Sequence, residues 1–190
     1  MRIGILGGTF DPPHVGHLLA ASDAAEALAL DRLLFVPVAE QPLKTGAMVA
    51  SAAHRFAMVG LLIGSDPRFV ADPIEIERGG LSFTVETLRV LRERWRDDQA
   101  LALFLLLGED VVATLSMWRE PNAVRALAEI VWLTRAPGPD APPPAGRVLA
   151  TRRVEVSSTE IRERVRAGRP IRGFVPEVVA EYIARHGLYR

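Results

Sequence analysis

Residues 1–28 read MRIGILGGTFDPPHVGHLLAASDAAEAL. The apolar start of this stretch predicts a buried strand that ends at the glycine pair Gly7-Gly8, and the apolar residues from Leu18 onward recur at the spacing of one helix face. The turn between strand and helix carries His14 and His17, two of the 4 histidines in the chain. A strand, a glycine-rich turn and a helix in this order are typical of an α/β fold with a ligand site at the turn.

Strand-like and helix-like stretches alternate along the rest of the chain, which predicts a parallel sheet with right-handed crossovers. Leu101 to Leu107 is apolar at every position, as expected for a strand covered on both faces. The sequence therefore predicts a Rossmann-like three-layer α/β sandwich, formed as one domain over residues 1–190. It also predicts an irregular connection over residues 72–80, a last short strand at Arg153 to Val156, and a helix over Ser157 to Ala167.

The composition narrows the class of protein. The 190 residues carry zero formal net charge, so a general nucleic-acid-binding surface is not expected. There is no cysteine, which excludes disulfides and thiolate sites, and no apolar run is long enough to cross a bilayer. The N-terminus lacks the pattern of a signal peptide, so we expect a cytoplasmic protein without a membrane partner. Of the 23 lysine and arginine residues, all except Lys44 are arginine. Either this single lysine is a chance survivor, or it marks a place where a compact ammonium is needed.

The turn after the first strand predicts an anion site. In parallel sheets, ligands bind beyond the carboxyl ends of the strands, and glycines let the backbone approach a ligand closely. The following helix offers free N–H groups and the positive end of its dipole. His14 and His17 lie one turn apart, so both imidazoles could donate to phosphate oxygens. The alternatives are a zinc site, for which no good further ligand lies nearby, and a purely structural role.

A second candidate site lies at VSSTEIRERV, residues 156–165. Ser157 followed by Glu160 has the pattern of a capping box, and hydroxyls, free amides and the guanidinium of Arg162 converge at this helix start. An ordinary capped helix with a solvated arginine is the better explanation when the stretch is taken alone. Two helix N-termini of this kind in one small fold favour a nucleoside triphosphate as the ligand. The dinucleotide fingerprint G-x-G-x-x-G is absent, which disfavours a dehydrogenase.

Together, GGTFDPPHVGH (residues 7–17) and SSTEIR (residues 157–162) resemble the nucleotidyltransferase superfamily that carries a histidine-x-glycine-histidine motif. The segments SFTVET, GEDVVATLSMW, RAPG and VPEVVAEYIARHGLY resemble the bacterial nicotinate-nucleotide adenylyltransferases, and the likeness runs from Ile3 to Tyr189. Phosphopantetheine adenylyltransferase shares the two phosphate motifs but is usually shorter. Leu43 and Phe83 depart from the family pattern, in which histidine and tyrosine are common at these positions.

The resemblance implies an enzyme of NAD biosynthesis. It would transfer AMP from ATP to nicotinate mononucleotide, giving nicotinate adenine dinucleotide and pyrophosphate. Mg²⁺ would be carried mainly by ATP and pyrophosphate, with no dedicated metal cage in the protein. The oligomeric state is left open, a homo-oligomer being one alternative. Two other functions also stay open: an enzyme of the same fold with another acceptor, nicotinamide mononucleotide or phosphopantetheine, and a non-catalytic nucleotide-binding module.

The resemblance also implies roles for individual residues. The catalytic residues would be Thr9, His14, His17 and Lys44. ATP would contact Gly7, Gly8, Thr9, Phe10, His17, Gly108, Asp110, Ser158, Thr159 and Arg162. Nicotinate mononucleotide would contact the amides around Thr84, Val85, Trp118 and Arg119, the ring of Trp118, and Lys44. A helix cap is the alternative role for Asp110, and plain core packing is the alternative for Trp118.

Overall fold

The structure, a computed structural model, describes residues 1–41, 48–134 and 146–190, with the backbone only at 109, 110, 112 and 113. The strands in these ranges are β1 (Arg2–Gly8), β2 (Arg32–Pro37), β3 (Phe69–Ala71), β4 (Ala102–Gly108), β5 (Glu129–Thr134) and β6 (Arg147–Ala150). They form one six-stranded sheet in the order β3-β2-β1-β4-β5-β6, and every neighbouring pair is parallel.

Helices cover both faces of this sheet. The α-helices of the described residues are α1 (Val15–Ala27), α2 (Ala52–Ile63), α3 (Ile74–Arg78), α4 (Thr84–Arg94), α5 (Pro121–Leu127), α6 (Ser158–Arg166) and α7 (Glu177–Arg185), and a 3₁₀ helix (Glu109–Met117) follows β4. One core joins α1, α2, α6 and α7 to the sheet, and a second core joins the other helices to its opposite face. The predicted three-layer sandwich is therefore confirmed. None of the described helices is long and apolar enough to cross a membrane.

Strand β4 shows why an uninterrupted apolar run predicted a covered strand. Leu103, Leu105 and Leu107 contribute to the core beneath α4, whereas Phe104 and Leu106 contribute to the core beneath α1. All five side chains are buried. Because successive side chains of a strand point to opposite faces, every position must be apolar when both faces are covered by helices.

The last strand of the sheet differs from the sequence prediction. It covers Arg147–Ala150, and residues 153–156 are not in a strand. After the amide of Thr151 donates to the carbonyl of Thr134 at 2.8 Å, the backbone amide of Arg152 and its guanidinium both bind the carboxylate of Asp23 on α1. This ion pair draws the chain away from the sheet edge, so the apolar residues that follow do not extend the sheet.

The predicted irregular connection over residues 72–80 was also wrong, because it contains the short helix α3. A carboxylate oxygen of Asp72 accepts a hydrogen bond from the amide of Ile74 at 3.0 Å, which satisfies one of the first free amides of the helix. Gly79 takes a φ of +70° and ends the helix. Only one turn forms, and so short a helix leaves little periodicity to read in the sequence.

The helix predicted from Ser157 is confirmed as α6. The hydroxyl of Ser157 accepts a hydrogen bond from the amide of Glu160 at 3.1 Å, which is the N-cap half of the capping box. Gly168, with a φ of +63°, lies just beyond the other end. The amides of Ser158 and Thr159 precede the first intrahelical hydrogen bond, so they face out of the helix start.

Candidate active site

The candidate site lies where the order of the strands reverses. Strand β1 pairs with β2 on one side and with β4 on the other, and Leu6 lies beside Leu106 in the register. The ends of β1 and β4, with Gly7-Gly8 and Gly108, are therefore neighbours at the carboxyl edge of the sheet, where open α/β sheets bind ligands. A side chain added at Gly7 would come no nearer than 4.0 Å to any described neighbour, so this glycine borders open space.

The histidines of the first motif contact each other at the start of α1. His14 is the N-cap residue, and the two imidazole centroids are 3.7 Å apart. The backbone amide of His14 donates to Nδ1 of His17 at 3.2 Å. In a neutral imidazole that accepts at Nδ1, the proton is on Nε2, so His17 presents an N–H donor at its other nitrogen. A Cβ at Gly16 would lie 3.0 Å from Nδ1 of His14, which explains the glycine between the two histidines.

His17 is neutral near pH 7. Burial lowers its pKa well below the usual 6.5, and the neighbouring His14 lowers the pKa further. The edge of the His17 ring packs against Phe10, with centroids 5.0 Å apart. The arrangement supplies a fixed, uncharged hydrogen-bond donor at the turn. Such a donor is suited to stabilising negative charge that develops during a reaction, and less suited to forming an ion pair with a charge that is already present.

This pKa shift predicts a pH dependence of stability. In the unfolded chain His17 titrates near its ordinary pKa, so below that pH the unfolded state binds a proton that the folded state does not. We expect the free energy of unfolding to fall between about pH 7 and about pH 5, and to fall less steeply in His17→Ala. Urea unfolding of both proteins at the two pH values measures it. Equal losses in the two proteins would contradict the assignment of a neutral His17.

The second motif contacts the first directly. The hydroxyl of Ser158 donates to the carbonyl of Pro12 at 2.8 Å, and Nη1 of Arg162 donates to the carbonyl of Asp11 at 2.8 Å. Nη2 of Arg162 also donates to the Thr159 hydroxyl at 3.2 Å. The N-termini of α1 and α6 therefore open on the same space. Arg162 is half-buried and hydrogen-bonded, so it is not the simply solvated arginine of the alternative explanation.

The structure shows which groups of two predicted ATP-binding residues are already engaged within the protein. The Ser158 hydroxyl proton is engaged by Pro12, so a phosphate would meet the amide of Ser158 and not its O–H. The ring of Phe10 is only 1% exposed and packs on His17 and Phe35, so only its backbone can face a nucleotide. The backbone at Phe10 has a φ of +50°, a conformation that turns the chain sharply between strand and helix.

Among the residues predicted for the mononucleotide, those that the structure describes lie near the start of α4. Arg119 is paired with Glu86 of α4 at 2.9 Å, and its guanidinium lies 4.8 Å from the ring centroid of Phe83, the N-cap residue of α4. The start of α4, with the amides of Thr84 and Val85, therefore adjoins the chain that follows the 3₁₀ helix. We call this region the α4 end of the site.

Trp118 has a more restricted role than predicted. Its amide already donates to the carbonyl of Leu115 at 3.2 Å, so that N–H is not available to a ligand carboxylate. The 3₁₀ turn imposes this bond, which the sequence pattern did not indicate. The indole is half-buried and packs against the core beneath α4, leaving the rest of its surface for stacking.

Some predicted residues fall outside the part of the chain that the structure describes. Lys44 and Leu43 lie within residues 42–47, and RAPG lies within residues 135–145. Gly108 is described at the end of β4, but the side chain of Asp110 is not. The roles given to Lys44 and Asp110 therefore stay predictions.

Sequence reasoning missed a buried polar group behind the turn. Arg55 is 1% exposed, and its guanidinium donates to the carbonyls of Thr9 at 2.8 Å and Val38 at 2.7 Å. Asp11 is also buried and balances this charge. A signal was present in the sequence: Arg55 occupies the first position of the apolar stripe of α2, followed at helical spacing by Met58, Val59 and Leu62. A charged side chain in such a stripe is expected to be buried, and charged side chains are almost never fully buried unless they are paired.

Comparison with known proteins shows which class of protein this chain belongs to. A family model described as cytidylyltransferase-like matches residues 5–164, which include both phosphate motifs. The family match and the fold together define a nucleotidyltransferase. A Gemmatimonas aurantiaca protein named "Probable nicotinate-nucleotide adenylyltransferase" is 53% identical over 200 residues, covering 100% of this chain and 93% of that protein. A protein of the same name from Thermus thermophilus is 44% identical, with 100% of both chains covered. The chain belongs to the nicotinate-nucleotide adenylyltransferase family.

Solved structures show the same fold at low sequence identity. Plasmodium falciparum nicotinic acid mononucleotide adenylyltransferase complexed with NaAD superposes with a TM-score of 0.79 at 17% identity, covering 99% of this chain and 97% of that one. The same enzyme complexed with APC gives a TM-score of 0.77 at 16% identity, covering 99% and 96%. The arrangement of strands and helices is thus retained where most residues differ.

Proposed function

We propose that the chain transfers AMP from ATP to nicotinate mononucleotide, producing nicotinate adenine dinucleotide and pyrophosphate for NAD biosynthesis. The observation that carries the proposal is the junction of two helix N-termini at Asp11 and Pro12, next to the pair His14 and His17 at the start of α1. Helix N-termini bind phosphate through their free amides and dipoles. The names of relatives that match over the full chain support the choice of nicotinate mononucleotide as acceptor.

The reaction requires positioning more than acid–base chemistry. The phosphate of the mononucleotide is ionised near pH 7, so its oxygen attacks the α-phosphorus of ATP without a general base. The new P–O bond forms as the bond from the α-phosphorus to the bridging oxygen breaks, and pyrophosphate leaves in line. The amides at the start of α6 and the Arg162 guanidinium hold the β- and γ-phosphates. The neutral His17 donates to oxygens on which negative charge increases, with His14 beside it.

The α4 end receives the acceptor. The first amides of α4, at Thr84 and Val85, face the nicotinate carboxylate, and Trp118 offers its indole to the pyridine ring. Gly108 ends β4, Asp110 lies in the 3₁₀ helix that follows it, and this stretch suits a ribose. This division puts the phosphates of ATP at α1 and α6 and the base of the acceptor at α4. The α-phosphate of ATP and the phosphate of the mononucleotide then meet between them.

Mg²⁺ enters as part of the substrate MgATP. We call the region at the starts of α1 and α6 the phosphate end of the site. Its groups are amides, hydroxyls, imidazoles and a guanidinium, which complement phosphate oxygens. Mg²⁺ instead prefers oxygen ligands, which the triphosphate itself provides. Bound in this way, the ion withdraws charge from the leaving pyrophosphate. We also propose that residues 1–190 act as one nucleotidyltransferase domain in the cytoplasm, where both substrates are present. A homo-oligomer stays an open prediction.

An acceptor panel tests the proposal. The purified protein is incubated with MgATP and, in separate reactions, nicotinate mononucleotide, nicotinamide mononucleotide or phosphopantetheine, and pyrophosphate release is measured with chromatography of the product. We expect the highest kcat/KM with nicotinate mononucleotide. A preference for phosphopantetheine would change the acceptor. No turnover with any of the three would indicate a nucleotide-binding module without catalysis.

Arg162→Ala is expected to raise the KM for MgATP by about tenfold or more, because charge-assisted bonds from a guanidinium to phosphate are strong. The KM for the mononucleotide should change less than about twofold, since Arg162 is at the phosphate end. Initial rates with each substrate varied in turn measure both constants. Arg166→Ala, at an exposed arginine of the same helix, serves as the control. Equal increases in both KM values would indicate that Arg162 only supports the fold.

A further inference from the structure

Asp11 connects four parts of the molecule at the turn that carries the histidines. Its carboxylate accepts hydrogen bonds from the amide of Val49 at 2.7 Å, the amide of Ala50 at 3.1 Å and the hydroxyl of Tyr189 at 2.7 Å. Its backbone carbonyl accepts from Arg162 of α6. Asp11 is 2% exposed, so none of these bonds competes with bulk water. The position of the turn therefore depends on groups from distant parts of the chain.

Tyr189 adopts a costly conformation to reach Asp11. Its φ is +65°, which is rare for a residue with a large side chain because the backbone is strained there. Gly187, with a φ of +60°, first turns the chain back after α7, and Tyr189 is then 4% exposed. Burial and the neighbouring Asp11 raise the pKa of the Tyr189 hydroxyl, so it remains a donor at any physiological pH. Strain of this kind persists only where surrounding contacts hold it.

Arg55 holds the other side of the same turn. It donates to the carbonyl of Thr9, two residues before Asp11, and to the carbonyls of Val38 and Ala39. Val38 and Ala39 precede the segment that contains Lys44, and the amides bound by Asp11 follow it. The buried charges of Arg55 and Asp11 thus tie both ends of that segment to the turn. Among the described residues that bind Asp11, Tyr189 is the only one that lies beyond α7.

We propose that the Tyr189 hydroxyl is a positioning group for adenylyl transfer: through Asp11 it fixes the turn that carries Thr9, His14 and His17 against the start of α6. This inference rests on the proposed function. The Tyr189 hydroxyl is buried and bound to Asp11, so it acts by restricting where Asp11, and with it the His17 donor, can lie. Displacement of a catalytic donor by about 1 Å can lower a rate by about a hundredfold.

Tyr189→Phe removes only the hydroxyl, and Tyr182→Phe is the matched control. The chain has 2 tyrosines, and the hydroxyl of Tyr182 also has a partner, Nδ1 of His54 at 2.9 Å, but this contact joins α7 to α2 and does not involve Asp11. For both variants and the wild type we measure kcat, the KM of each substrate, the melting temperature, and the Kd of MgATP by calorimetry in the absence of acceptor.

We expect kcat of Tyr189→Phe to fall about tenfold or more while the KM for nicotinate mononucleotide stays within about twofold, because Tyr189 has no contact with the α4 end. The Kd of MgATP should rise, and Tyr182→Phe should match the wild type. A Tyr189→Phe kcat within about twofold of wild type would overturn the proposal, whatever its melting temperature. So would a variant that fails to fold, or an equal loss in Tyr182→Phe, since either would make the hydroxyl a support of the whole fold. If the wild type has no turnover, the proposed function fails by itself, and the Kd of MgATP still tests the role of Tyr189.

Discussion

Replacing His17 by alanine is expected to lower kcat by about a hundredfold or more while the protein stays folded. Because Nδ1 of His17 accepts from the amide of His14, the proton of the neutral ring is on Nε2, and we expect this N–H to donate to the phosphates. Loss of one preorganised donor to developing charge typically costs about a hundred- to a thousandfold in kcat. The two cores are formed by apolar residues of the strands and helices, and His17 is not one of them, so its removal leaves both cores intact. Steady-state rates at saturating substrates, with circular dichroism as the check on folding, measure the effect.

Two amide substitutions separate the nitrogen atoms of His17. The side chain of His17→Gln carries an N–H donor at about the reach of Nε2, whereas His17→Asn reaches only to about the position of Nδ1. We expect the glutamine variant to retain more of kcat than the asparagine variant. His186→Ala, at an exposed histidine of the C-terminal region, should leave kcat unchanged. Near-normal turnover of His17→Ala, or a more active asparagine variant, would contradict donation from Nε2.

The enzyme is expected to prefer nicotinate mononucleotide over the nicotinamide form by about a hundredfold in kcat/KM. A carboxylate only accepts hydrogen bonds, whereas the –NH₂ of an amide must donate. The first amides of α4 are donors at the positive end of a helix dipole, so they favour the anion. Each donor left facing an –NH₂ group costs ~1–3 kcal/mol, and two such donors give the stated ratio. Competition between the two mononucleotides in one reaction measures the ratio directly.

Trp118→Ala provides the control for this preference. The indole stacks on either pyridine ring and does not detect the charge, so both KM values should rise by a similar factor. The ratio of kcat/KM between the two acceptors should therefore stay near its wild-type value. Equal kcat/KM for both mononucleotides in the wild type would refute the assignment of the carboxylate to the start of α4, and it would leave adenylyl transfer at the phosphate end untouched.

The fold was predictable because its signals are local. The unbroken apolar run of β4, the cap at Ser157 and the glycine pair after β1 each reflect the chemistry of a few adjacent residues. The last strand was misplaced because the position of Arg152 depends on Asp23 in a distant helix. That contact changes which residues can pair with β5, and no short window of sequence contains both partners.

The sequence indicated the motifs of the candidate site but not the residues that hold those motifs in place. His14, His17 and the start of α6 were found because their spacing follows the helix. The bond from Tyr189 to Asp11 joins residues 178 positions apart, and nothing in either local pattern indicates it. Arg55 was visible as a charge in an apolar stripe, yet only the fold shows that it holds the carbonyl of Thr9.

The order of the strands has a consequence for how the chain folds. β1, β2 and β3 are close in sequence and can associate early, but the other edge of β1 pairs with β4, in a register that brings Arg2 beside Ala102. Closing so long a loop is slow, and until it closes β1 is an apolar edge on which another chain can add. The two phosphate motifs lie in opposite halves of the sheet order, so the anion site exists only after the halves have joined. ATP should therefore bind only the fully folded protein, and so it should shift the folding equilibrium toward the folded state.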